Sequence, residues 1–203
     1  MPRIVSYSLT KIVITGNKGG TGKTTIAALL TEYLNYQNKK VQLIDTDPNQ
    51  ALQAWINNCS QEKRLVSYRL PVDYQITDTA GVSGGYLTYI KQADIILVPF
   101  VPHYVDLQVI IPWFQSLPKE RQKRVYFLPN RYQKTKEQTE GLNQLNDTIR
   151  DVKAGMVLSP LSQRPALYGS VLNGSKENFF NQKDSQQAQE IFQSLFKHYA
   201  KNH

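Results

Sequence analysis

The chain has 203 residues, of which 40% are hydrophobic and 20% charged, a balance that supports a sizeable core and argues against wholesale disorder. It has one cysteine, Cys59, which excludes an intramolecular disulfide and a cysteine-ligated zinc or iron–sulfur site within one chain. Lys and Arg total 24 against 16 Asp and Glu, a net charge of +8 that suits a polyanionic partner such as nucleic acid or an anionic membrane.

The nearly apolar stretch Ile95 to Pro102 falls far short of the ~20 residues of a membrane helix. The start Met-Pro-Arg is not followed by a signal-peptide pattern. The expectation is a cytoplasmic protein with one domain over residues 1–203.

In chain order, Ile12-Val13-Ile14 reads as a buried strand, and Thr24 to Asn38 as a helix with Ile26, Leu29, Leu30, Tyr33 and Leu34 at helical spacing. Val41 to Ile44 is a second strand, followed by a helix over Asn49 to Asn57. Val66 to Leu70 and Tyr74 to Thr77 are weaker strands, and Asp94 to Pro99 a strong one. Val105 to Leu117 is helical, with Pro112 expected to kink it or end a turn. Strands follow at Val125 to Leu128 and Met156 to Leu158. The last helix, Ser185 to Lys201, shows an apolar stripe (Ala188, Ile191, Phe192, Leu195, Phe196, Tyr199) behind a serine N-cap. Continuous rather than alternating hydrophobicity in the strands implies burial on both faces. The fold class is therefore α/β, doubly wound, with a mostly parallel sheet and helices on both faces. Ligands in such folds sit at the carboxyl ends of the strands.

The chemistry clusters there. The first strand runs into Gly16-Asn17-Lys18-Gly19-Gly20-Thr21-Gly22-Lys23-Thr24-Thr25 and then into the first helix. Glycines let successive N–H groups face one point, an anion nest at a helix N-terminus. Lys23 can reach β- and γ-phosphates, and the Thr24 hydroxyl can ligate Mg²⁺. The ordinary pattern has glycine where Asn17 stands, and Lys18 is a second lysine inside the loop. Two lysines would overfill a site used by one chain, so Lys18 is better placed to reach a nucleotide held by another copy. Asp45, Asp47 and Asp78 close two of the strands beside the loop, where carboxylates can hold a Mg²⁺ shell or orient a water.

The loop Lys18 to Thr25 resembles the deviant Walker A motif of the ParA/MinD ATPases, a P-loop NTPase group, with Lys18 at the signature-lysine position. Leu43-Ile44-Asp45-Thr46-Asp47-Pro48 is similar to that family's segment after strand two. Ile76-Thr77-Asp78-Thr79-Ala80-Gly81 resembles its Walker B aspartate and switch loop. Ser162-Gln163-Arg164 and Val171 to Gly174 are reminiscent of the small plasmid-partition ParA proteins. The resemblance implies ATP and Mg²⁺ as cofactors, with Lys18, Lys23 and Asp47 catalytic and residues 18–25 on the phosphates. It implies Thr24, Asp45 and Asp78 at the metal. Asn130 and Arg131, with Ser159 and Pro160 opposite, would hold adenine.

The activity so implied is a weak Mg-dependent ATPase that forms an ATP sandwich dimer, binds nucleoid DNA without sequence preference and distributes a cargo. A plasmid is the leading cargo, a protein organelle another, and a ParB-like or adaptor protein would stimulate hydrolysis. Too few residues precede the first strong strand for an N-terminal helix-turn-helix domain. The DNA candidates are Lys176, Lys183, Lys197 and Lys201, with Lys119, Arg121, Lys123 and Arg124 behind them. Two alternatives remain: a MinD-like membrane-associated regulator using the last helix, and a dethiobiotin-synthetase-like metabolic ligase on the same fold.

Overall fold

The computed structural model describes residues 9–16, 18–61, 71–80, 86–174 and 177–202. Among them, six strands form one sheet: β1 (Thr10–Ile14), β2 (Val41–Asp45), β3 (Tyr74–Asp78), β4 (Ile95–Phe100), β5 (Val125–Pro129) and β6 (Met156–Val157). Their order is β2-β3-β1-β4-β5-β6, and every pairing is parallel. The weak strand of the sequence, β3, lies inside the sheet between β2 and β1. The expected strand at Val66 to Leu70 lies outside the described residues.

The hydrophobic runs divide by strand period between two cores. Ile12, Ile14, Ile76, Ile95, Leu97 and Leu128 face one core. Val13, Ile96, Val98, Phe100 and Phe127 face the other. β4 is buried at all six positions, as a central parallel strand covered on both faces must be.

The first face is covered by α1 (Lys23–Tyr36), α2 (Ala51–Gln61), α7 (Pro165–Leu172) and α8 (Gln186–Lys201), which contribute Leu29, Trp55, Val171 and Phe192. The Trp55 indole N–H donates to the Val171 carbonyl at 2.9 Å, tying α2 to α7. Cys59 is buried on α2. The second face carries α3 (Tyr86–Gln92), α4 (Tyr104–Ser116), the short α5 (Lys119–Gln122) and α6 (Lys136–Val152), with Ile90, Leu107, Phe114 and Leu145 in that core.

One local expectation changes and another is narrowed. α4 continues past Pro112, which is exposed and does not end it. Ser185 precedes α8, yet its hydroxyl donates to the Gln182 carbonyl at 2.7 Å and caps nothing. The reason is that a 3-10 turn, Lys183–Ser185, runs directly into the helix and gives Ser185 helical torsions (φ −78°, ψ −14°) instead of the extended ones a capping serine needs.

Candidate nucleotide site

The sheet register brings the acidic strand ends together. Asp45 pairs with Asp78 across β2 and β3, and Ile14 pairs with Asp78 across β1. The glycine-rich loop therefore leaves β1 beside both carboxylates. Gly22 ends the loop in the left-handed region (φ 92°) and is the residue before α1, whose first turn has neither a side-chain cap nor an acidic residue. An uncapped helix N-terminus with nearby lysines attracts an anion.

Lys23 is buried, and its ammonium donates to the Lys18 carbonyl at 3.0 Å. Burial lowers its pKa from the ordinary lysine value, against the opposing pull of Asp78 and Asp47. The Thr24 hydroxyl donates to Asp78 Oδ2 at 2.8 Å. The other oxygen, Asp78 Oδ1, is buried without a hydrogen-bond partner. Burial, reinforced by Asp45 and Asp47, pushes the Asp78 carboxyl up to about 6 despite the Thr24 hydrogen bond and the Lys23 charge. A buried, unpartnered carboxylate oxygen beside a threonine hydroxyl fits a hard cation shared with phosphate oxygens.

The other two aspartates differ in their engagements. Asp45 accepts the Asp47 N–H on Oδ1 at 2.9 Å and the Gln53 N–H on Oδ2 at 3.0 Å. It organises the turn after β2 and the start of α2, and each oxygen keeps acceptor capacity beyond the one hydrogen bond it takes. Among the described residues no group of three or more His, Cys, Asp and Glu side chains is arranged to hold a metal. Asp47 takes the Asn49 N–H at 2.9 Å and lines a cavity of about 600 Å³ with Gly19, Gly20, Gly22, Lys23, Thr24 and Arg131.

A second cavity, about 370 Å³, continues on the far side of Gly22 and Arg131. Its walls include Thr25, Asn130, Ser162, Arg164, Pro165, Tyr168 and Gly169. The two share Gly22 and Arg131 at their boundary, so the loop lines both.

Asn130 is more occupied than the sequence suggests. Its amide nitrogen donates to the Thr21 carbonyl at 2.8 Å and its oxygen accepts the Arg131 N–H at 2.9 Å, so it braces the loop. Arg131 is exposed, with φ 53°, and touches both cavities. Ser159 and Pro160 line neither. The wall opposite Asn130 comes instead from residues 162–169, since the chain passes the sheet end at 159–160 and turns back into α7. Tyr168 in that wall is buried, with its hydroxyl unpartnered. It went unnoticed in the sequence, where a tyrosine at a helical position reads as core.

Lys18, expected to reach another copy, is half-exposed and forms an ion pair with Asp106 in the first turn of α4. Asp106 was not anticipated.

Of the DNA candidates, Lys176 lies outside the described residues, while Lys183, Lys197 and Lys201 are exposed. Lys119 donates to the Val152 carbonyl, and Arg121 to the carbonyls of Ile90, Lys91 and Ala93. Lys123 pairs with Glu120 and Arg124 with Asp94. The apolar stripe of α8 is in the core: Ala188, Ile191, Phe192 and Leu195 are buried. No helix among the described residues is long and apolar enough to cross a membrane.

The sequence profile of the CobQ/CobB/MinD/ParA nucleotide binding domain matches residues 12–177. A protein named ParA from Rhizobium radiobacter is 27% identical over 127 residues, which is 55% of this chain and 57% of that protein's length. The fold is similar to a Borrelia burgdorferi plasmid partition protein bound to AMPPNP (TM-score 0.69, 16% identity, 93% of this chain and 98% of that one). It is equally similar to apo McdA from Cyanothece (TM-score 0.70, 18% identity, 93% and 100%).

Proposed function

We propose that this chain, which belongs to the CobQ/CobB/MinD/ParA family of nucleotide-binding domains, is a ParA-type ATPase that positions a cargo on DNA. The observation that carries the reading is the loop itself: Lys23 and Thr24 at an uncapped helix N-terminus, against a buried carboxylate with one orphaned oxygen.

ATP enters with its phosphates on residues 18–25, and Lys23 exchanges the Lys18 carbonyl for phosphate oxygens. Thr24 and Asp78, with Asp45 behind them, would hold Mg²⁺, and the ion would supply charge neutralisation at the phosphates. Asp47, lining the same cavity as Lys23, orients the attacking water. No strong base is dedicated to that water, which suits slow turnover and a state that lasts until a ParB-like or adaptor partner accelerates it. Lys18 acts on the nucleotide of a second copy, so the ATP form is a sandwich dimer. The dimer binds nucleoid DNA through phosphates, with exposed lysines such as Lys183, Lys197 and Lys201 as contacts. The cargo is a plasmid or another large assembly. The alternative is a membrane-associated regulator using the last helix; against it, Ala188, Ile191, Phe192 and Leu195 of the stripe that would anchor it are buried.

The test is binding to a random-sequence duplex with ATP·Mg²⁺, with ADP and without nucleotide, across a salt series. Sequence-blind binding confined to ATP and falling steeply with salt is the expected result. Equal binding, or none, in all three states overturns the DNA-based mechanism.

A further inference from the structure

Two neighbouring residues of α7 destabilise the nucleotide-free chain with nothing visible in return. Tyr168 is 7% exposed, and its hydroxyl is buried with no hydrogen-bond partner among the described residues. A buried orphan polar group weakens a fold. Burial raises the phenol pKa above its ordinary value of 10.0, so the group keeps its proton and is both donor and acceptor. The phenol also feels the charges of Arg164, which lines the second cavity, and of Asp184, which holds Arg164 at 2.7 Å. Gly169 comes next, inside the helix, where only proline is a poorer helix former. It has no left-handed torsion, and a Cβ there would meet no described atom within 4 Å, so neither backbone nor packing demands a glycine.

Both residues line the cavity of about 370 Å³, and with Pro165 they stand at i, i+3 and i+4, one face of α7. The turn that leads into this face is pinned by Gln187 of α8. Its amide nitrogen donates to the Pro160 carbonyl at 3.1 Å and to Ser162 Oγ at 3.0 Å, and its oxygen accepts the Ser162 N–H at 3.2 Å. Across the cavity, the Asn130 amide is engaged with Thr21 and Arg131. The α7 face is therefore held in place, open at Gly169 and short of one partner at Tyr168.

We infer that the face formed by Pro165, Tyr168 and Gly169 receives the purine ring of the bound nucleotide, and that the Tyr168 hydroxyl is the specificity residue for the group at ring position 6. This rests on the ATP reading given above, with the phosphates on the loop. Gly22 and Arg131 line both cavities, so a nucleotide lying across them carries its base to α7. The absent side chain of Gly169 lets a flat ring approach the helix backbone. The 6-amino group of adenine then donates to the phenol oxygen and satisfies the orphan. Asn130 braces the loop, and Tyr168 selects the ring.

The test measures dissociation constants by calorimetry on the full chain with Mg²⁺, for ADP and for purine riboside 5′-diphosphate, which lacks the 6-amino group. The wild type should hold ADP about tenfold more tightly, the size of one hydrogen bond. Tyr168→Phe should lose that preference, to within about twofold, by weakening ADP and sparing the analogue. Without nucleotide it should melt at the wild-type temperature or above, since an orphan hydroxyl has been removed. A purely structural tyrosine would weaken both ligands alike. Gly169→Leu is the second variant. Leucine suits a helix better than glycine and here enters open space. The nucleotide-free chain should keep its melting temperature while ADP binds more weakly by about tenfold or more.

An equal preference for ADP in the wild type and Tyr168→Phe overturns the inference, as does a wild type with no preference. A lower melting temperature for nucleotide-free Tyr168→Phe gives the hydroxyl a structural partner and overturns it too. Should Tyr168→Phe fail to fold, Gly169→Leu decides, and normal ADP affinity in that variant places the base elsewhere. A wild type that binds neither diphosphate overturns the ATP reading itself, and the role of this face with it.

Discussion

Gly22 is where the loop tolerates least. Its φ of 92° suits glycine, and a Cβ there would lie 2.3 Å from the Asn130 amide nitrogen, the atom that braces Thr21. Gly22→Ala should cost about 1–3 kcal/mol in chemical denaturation and weaken ADP binding more than about tenfold, since the N–H groups facing the anion move with it. Unchanged ADP affinity would show that the nest tolerates a shifted brace.

Asp78 makes a pH prediction. Its carboxyl has an ordinary value of 3.8 and is pushed up to about 6 in the folded chain. Below the ordinary value both states are protonated and nothing is lost. As pH rises from about 4 to 6 the unfolded chain gives up the Asp78 proton while the folded chain keeps it, and stability falls by about 2–3 kcal/mol. Asp78→Asn should therefore raise the thermal midpoint of the nucleotide-free protein at pH 7.5 in EDTA and leave it nearly unchanged at pH 4. A uniform shift at both pH values would assign the effect to packing.

At the scale of elements, the sheet was legible and half of its cover was not. Parallel strands buried on both faces appear as apolar runs, and β4 and β5 stand out for that reason. β3 reads weakly because Tyr74 and Gln75 at its start are only half-buried. α6 is the longest helix among the described residues, yet Gln, Asn, Asp and Thr dominate it, and its core contacts rest on a thin line of Gly141, Leu142, Leu145 and Ile149. A local signal was present. Thr135 accepts the Gln138 N–H at 3.2 Å, the Thr-x-x-Gln pattern of a helix start, although Gln138 turns its own oxygen to the Gln133 N–H.

The same division holds in the site. The phosphate loop and three aspartates lie in short segments whose spacing can be read directly. Asp106 is 88 positions from Lys18, and the cavity wall at 162–169 is set by where α7 begins. Neither pairing leaves a mark in a single sequence.

Gly141→Ala tests the α4–α6 contact. A Cβ there would lie 2.5 Å from the Pro102 carbonyl, a backbone group that cannot rotate away, so a loss of about 2–4 kcal/mol is expected in urea unfolding. A loss under about 0.5 kcal/mol, the surface range, would mean the helices can separate.

For the whole molecule, nucleotide binding should be visible as stability. ADP at about 100 times its dissociation constant should stabilise the folded chain by about 2.7 kcal/mol, raising the melting temperature by roughly 5–10 °C. Lys23→Ala should show no such rise. A normal rise in that variant would remove Lys23 from the phosphate site.

The strand order carries a consequence for how the chain is made. β1 and β2 are separated in the sheet by β3, which enters the sequence only at Tyr74. A nascent chain emerging from the ribosome through residue 61 holds two strands and two helices but lacks the ladder partner they share. Its apolar helix faces have begun to seek cover before the sheet can zip. Synthesis of residues 74–78 therefore acts as a checkpoint: the moment they emerge, one inserted strand closes both neighbours, aligns Asp45, Asp78 and the loop in one register, and completes the phosphate side of the site well before α8 is translated.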